Sequence, residues 1–76
     1  MMNPQKGEFW QHYKTKGEYE IVGTGQMQVK VEELDMKECV IYQAVSDKKL
    51  WVRPLTDFVE KIEFNGVAMP RFAKVR

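Results

Sequence analysis

Between residues 19 and 31 the chain alternates. Tyr19, Ile21, Met27, Val29 and Val31 occupy odd positions, and Glu20, Thr24, Gln26, Gln28 and Lys30 occupy even ones, with Val22 the apolar exception. A period of two is that of a half-buried strand. Gly23 and Gly25 interrupt the apolar face, and glycine inside a strand signals a bulge, a bend or a tight turn. Residues 39–45 (CVIYQAV) predict a second strand, too uniformly apolar for its two faces to be told apart. Residues 50–53 predict a third, with Leu50 and Val52 on one face and Trp51 and Arg53 on the other. Pro54 ends it, because proline cannot donate to a ladder.

The spacing then changes. Leu55, Phe58, Val59 and Ile62 recur at i, i+3, i+4 and i+7, which predicts a short helical turn over residues 56–60 with Thr56 as its N-cap. Strand resumes over residues 61–64. Asn65-Gly66 follows, a strong hairpin signal because both residues tolerate the positive φ of a type I′ turn. Residues 67–69 return from it, Pro70 interrupts, and residues 72–75 predict a last edge strand. At the other end, residues 1–8 are polar with Pro4 and Gly7 and predict a flexible lead. Phe9, Trp10 and Tyr13 fit either one helical turn or an extended segment packed on the core. Polar turns are expected at residues 15–17, 32–38 and 46–49.

Composition agrees with the pattern. Val, Ile, Thr and the aromatics number 24, whereas Leu and Ala together number 6. Branched and aromatic side chains suit a pleated, half-buried surface. In 76 residues there is room for one domain, here residues 9–76, and folding at this size removes roughly 60% of the unfolded surface. Four to six short strands and one helical turn therefore predict a mainly β domain. Its expected form is a small, partly open barrel of the SH3-like or Sm-like kind, with a three-stranded sheet under one helix as the alternative.

The net charge of +1 argues against a general coat for nucleic acid or membrane, which needs a basic excess. The charge is uneven all the same: residues 32–38 carry −3, and residues 39–76 carry +3 from seven basic and four acidic groups. The single cysteine, Cys39, lies in an apolar run, which predicts a buried thiol. No apolar run approaches the ~20 residues of a membrane span. The N-terminal stretch has no apolar core of a secretory signal, so the expected address is cytoplasmic.

Catalytic signatures are missing. There is no phosphate-cradling glycine loop, and one His with one Cys makes no zinc set. No cofactor is expected. A small enzyme using His12 as a base is the remote alternative. What stands out is an aromatic and basic set: Trp10, His12, Tyr13 and Lys14, then Tyr42, then Trp51 and Arg53, then Arg71 and Phe72. Arginine and aromatic side chains dominate binding hot spots, and arginine stacks on rings. The competing reading is that the aromatics complete a small core and the arginines cover it with their stems. A buried Trp51 and an Arg53 paired with an acid such as Asp57 would favour that second reading.

The order of these residues is familiar. HYK at 12–14, Gly-x-Tyr at 17–19, VIYQ at 40–43, LWVRPL at 50–55 with Phe58 beyond it, and PRF at 70–72 resemble a bacterial family of small domains, the domain-of-unknown-function family numbered 1653. The resemblance covers about residues 9–73. The family has a glycine directly after HYK where this chain has Thr15, and residues 24–38 differ from its shorter, histidine-containing loop. The resemblance implies a compact β-rich domain and no established activity. It draws attention to Tyr13, Trp51, Arg53, Pro54, Arg71 and Phe72. Taken together, the expected function is that of a non-catalytic binding module for a protein or peptide, working through an aromatic and arginine surface. A homo-oligomeric assembly protein and a weak single-stranded nucleic-acid binder are the alternatives.

Overall fold

The computed structural model describes residues 3–76. Seven strands and one helical turn follow in order: β1 (Phe9–His12), β2 (Glu18–Gln26), β3 (Glu38–Ala44), β4 (Leu50–Pro54), α1 (Leu55–Phe58), β5 (Lys61–Phe64), β6 (Val67–Pro70) and β7 (Phe72–Lys74). The domain is mainly β, as the alternation and composition predict. It has one strand more than the four to six expected. Five strands form an antiparallel sheet in the order β4-β3-β2-β1-β7, and β5-β6 stand apart as a hairpin. The sheets do not close into a barrel, so β4 and β7 are free edges.

The glycine-marked strand is β2. Its register against β3 slips between Ile21 and Gly23, with Ile21 opposite Tyr42 and Gly23 opposite Ile41. Val22 is thereby left over, the mark of a bulge. The strand ends at Gln26, earlier than the alternation suggests. Met27 still exchanges backbone hydrogen bonds with Lys37 and Met36 (2.8 and 2.6 Å). Beyond it the chain closes on itself, with Met36 at φ 65° and the Val29 N–H donating to Asp35 Oδ1 at 3.1 Å. Val29 and Val31 continue the apolar pattern with no core beneath them and stay exposed.

The Asn65-Gly66 hairpin forms as predicted. Both residues have positive φ (53° and 77°), and Phe64 pairs directly with Val67. The helical turn is shorter than expected and starts one residue sooner, over Leu55–Phe58. Pro54, not Thr56, occupies the capping position and contributes no side-chain hydrogen bond. Its φ of −55° and ψ of 140° suit both the last residue of a strand and the residue before a helix. The chain thus passes from β4 into α1 without a linker. That turn aims Phe58 into the core, where it is fully buried.

The core is largely aromatic: Trp10, Ile21, Val40, Tyr42, Phe58 and Phe72, with Tyr19, Leu55 and Val59 packed against it. Phe58 and Phe72 stack with centroids 4.1 Å apart and 3° between planes. Around them Trp10 and Tyr42 stand edge-on to Phe58 at 5.5 and 5.3 Å. The Trp10 indole N–H donates to Glu8 Oε1 (3.1 Å). Cys39 is buried, with its thiol 3.6 Å from the Lys37 carbonyl.

Of the lead over residues 1–8, residues 3–8 form a turn against β2, and residues 1–2 lie outside the described residues. Pro4 is fully buried. The Gly7 N–H donates to the Ile21 carbonyl (2.9 Å), and the Ile21 N–H donates back to the Glu8 carbonyl (2.8 Å). Glu8 holds the turn by accepting from the Gln5 N–H at 2.9 Å. That bond, chiefly, keeps the Glu8 carboxyl below its ordinary pKa, with help from Trp10 and Lys74. Among the described residues no helix is long and apolar enough to cross a membrane.

Candidate functional site

One cavity gathers most of the aromatic and basic set. It measures about 150 Å³ and is lined by His12, Thr15, Tyr19, Tyr42, Trp51, Arg53 and Phe72. Five strands and one turn contribute. His12 ends β1, and Thr15 sits in the turn that joins β1 to β2, shaped by Lys16 at φ 64°. Tyr19 enters from β2 and Tyr42 from β3. Trp51 and Arg53 share one face of β4, as alternation requires, and Trp51 lies directly opposite Tyr42. Phe72 begins β7.

The floor is aromatic. Tyr19, Tyr42 and Phe72 meet edge-on with centroids 5.2 to 5.9 Å apart. Tyr42 and Phe72 are each 3% exposed, so they serve core and cavity at once. His12 closes one side, edge-on to Phe72 at 5.0 Å. Trp51 forms the other and is 46% exposed, with the Lys49 ammonium 5.7 Å from its ring. The reading in which the tryptophan merely fills the core is thereby set aside.

Arg53 is the cavity's one permanent charge. Its Nε–H donates to the Tyr42 hydroxyl at 3.2 Å, and its guanidinium carbon sits 5.7 Å over the Phe72 ring. Asp57 does not pair with it. Among the described residues no carboxylate does, since the ion pairs belong to Arg71, Lys74 and Arg76. A guanidinium has five N–H donors, so four of them have no partner among the described residues.

His12 is half-buried, and its Nδ1 accepts the Lys14 backbone N–H at 3.2 Å. Burial, then the positive charges of Arg53, Arg71 and Lys14, hold its pKa below the ordinary 6.5. With Nδ1 accepting, the neutral ring carries its proton on Nε2.

Four of the set fall outside: Trp10 is buried in the core, and Lys14, Arg71 and Tyr13 do not line the cavity. Arg71 pairs with Glu60 Oε1 (2.8 Å) and donates through Nε to the Asp57 carbonyl (3.1 Å), tying β7 to the end of α1. The Tyr13 ring packs against His12 at 4.8 Å and edge-on against Phe64 of β5 at 5.4 Å, outside the cavity lining. Two lining residues were not singled out from sequence, Thr15 and Tyr19. Tyr19 shares its odd-position face with Ile21, a signal that could have found it. Thr15 depends on the geometry of a turn and carries no such mark.

A second cavity of about 220 Å³ lies between the N-terminal turn and β2, lined by residues such as Lys6, Thr24 and Glu38. It shares no residue with the first. Among the described residues no group of three or more His, Cys, Asp or Glu side chains is placed to hold a metal ion.

Comparison with the curated proteins and with the solved structures finds no match. A family model does match, over residues 8–74, and is described as a protein of unknown function, DUF1653. That span includes every residue of the aromatic cavity and nearly the whole chain, and the chain belongs to this family.

Proposed function

We propose that this domain is a non-catalytic binding module that takes an extended segment of a protein or peptide, seating one side chain in the aromatic cavity. The observation that carries the reading is the convergence of His12, Tyr42, Trp51, Arg53 and Phe72 on one open cavity. Its volume of about 150 Å³ suits one ring or one short side chain; apolar cavities of that size take up benzene.

The β4 edge supports an extended ligand. The Ala44 N–H donates to the Lys49 carbonyl. Bonded pairs recur every second residue, so Tyr42 with Trp51 and Val40 with Arg53 are the bonded pairs of this ladder. The N–H and C=O of Val52 then point away from the sheet, on the strand that carries Trp51 and Arg53. An open edge of this kind can add a partner strand. No carboxylate lines the cavity to pair with His12 as an acid or base.

A second reading rests on the same edge, which could pair with β4 of another copy. Leu50 and Val52 (59% and 61% exposed) would be covered there.

The test is an amide NMR titration with pools of short unstructured peptides and, separately, oligonucleotides. We expect peptides to move the Trp51 indole, the Arg53 Nε–H and the Val52 amide together. Val52→Pro should keep the fold, because that N–H has no internal partner, and should weaken binding. Signals that stay fixed at millimolar peptide would defeat the reading. Response to oligonucleotides alone would replace it with the nucleic-acid one. Sedimentation at high micromolar concentration addresses the dimer, which a monomer rules out.

A further inference from the structure

Resting on that reading, we infer that the group received by the aromatic cavity is a carboxylate, bound by Arg53. The aromatic box alone would suggest the opposite charge. Tyr19, Tyr42, Trp51 and Phe72 present ring faces and edges of the sort that attract cations. The box is already supplied with one: the Arg53 guanidinium lies over Phe72 and is held by the Tyr42 hydroxyl. A second cation would meet that charge, with Lys14 and Lys49 nearby and no lining carboxylate to offset it.

The polar groups agree on the sign. Four guanidinium N–H groups lack a partner among the described residues. His12 keeps its Nδ1 engaged with the Lys14 N–H, which leaves its Nε2–H as a donor. The Trp51 indole N–H can only donate. Donors dominate, and a ligand rich in acceptors answers them. A planar guanidinium fork matches a planar carboxylate with two parallel hydrogen bonds. A phosphate dianion is the weaker candidate, because Arg53 is the one permanent charge lining the cavity and burial disfavours charging His12.

Two sources supply a carboxylate on a peptide: an acidic side chain within the segment, or its C-terminus. Matched acid and amide probes separate them. N-acetylphenylalanine and its amide present or withhold an α-carboxylate beside a ring. N-acetylglutamate α-amide and N-acetylglutamine α-amide do the same for a side chain. Binding is read by NMR from the Trp51 indole, the Arg53 Nε–H and the pH titration of His12.

We expect the acid of at least one pair to bind about tenfold more tightly than its amide, as befits a charge-assisted bond. The acid should also raise the pKa of His12, since a bound anion offsets Arg53. Whichever pair responds names the source. Arg53→Gln should abolish the preference. Arg53→Lys should keep only part of it, and Arg71→Gln should keep it whole. Acid and amide binding equally well would overturn the inference and leave the cavity reading intact. No response to any probe would count against both. Tighter binding of tetramethylammonium or inorganic phosphate at the same signals would also overturn it.

Discussion

Two arginines, Arg53 in LWVRP and Arg71 in PRF, both act on His12 and have opposite fates. Arg71 has its charge answered inside the protein by the Glu60 carboxylate, and its Nε–H donates to the Asp57 carbonyl. It clamps the start of β7 to the end of α1. Arg53 has only the Tyr42 hydroxyl and the face of Phe72. The charge of Arg71 has a carboxylate partner, whereas that of Arg53 has none among the described residues and lines an open cavity. Residue type alone therefore does not mark a site; what marks it is whether the fold has already supplied the partner.

The largest expected effect breaks both regions together. Phe72→Ala removes the ring that stacks on Phe58, lies under Arg53 and follows Arg71. Large-to-small changes at buried phenylalanines cost about 3–5 kcal/mol, and a domain of this size has roughly 5–10 kcal/mol in total. We expect urea unfolding to show most of the stability gone, with cavity and clamp lost at once. A midpoint near that of the parent protein would mean that the stack does not hold the two regions together.

Arg71→Gln separates them. It removes an ion pair whose Glu60 side chain is 54% exposed, which by itself is worth little, and a hydrogen bond to a backbone carbonyl. The expected loss is about 1 kcal/mol, with ligand binding unchanged. Arg53→Gln should do the reverse: about 0.5 kcal/mol or less of stability, and loss of the carboxylate preference. The two variants measured side by side, by unfolding and by ligand titration, form a crossed test. If Arg53→Gln proved the more destabilising, Arg53 would be the structural residue of the pair.

The aromatic and basic set was legible in the sequence as residue types, but not which members would meet. Tyr13 and Arg71 each lie one residue outside a strand, in the turn after β1 and the bend before β7. Their placement depends on how those segments dock, Tyr13 on His12 and Phe64 and Arg71 on Glu60 and Asp57, and that follows from pairing between distant parts of the chain. The Asn65-Gly66 hairpin was legible because two adjacent residues carry the whole signal in their φ preferences. The burial of Pro4 was not, because it depends on the N-terminal turn docking on β2. Val29 and Val31 kept the rhythm of a strand without a core to face, and a rhythm cannot report what lies opposite.

The smallest effect gives the finest comparison of the two arginines. His12 is the only histidine, so its titration is read without ambiguity. Its pKa in the folded protein lies below 6.5, first through burial, then through Arg53, then through Arg71 and Lys14. A lowered value means that the unfolded chain binds a proton more readily than the folded one. The His12 contribution to stability is therefore full above pH 6.5 and is lost as the pH falls through that value towards the folded one. Urea unfolding at pH 8 and pH 5.5 should show lower stability at the acidic end, and His12→Gln should flatten that slope. In each arginine variant one cation is gone, so the His12 pKa should rise. The rise should be larger for Arg53→Gln than for Arg71→Gln, and neither should restore 6.5, because burial remains the leading cause. Equal rises would mean that the two guanidinium groups act on the imidazole alike, and that the difference between them lies only in what each can bind.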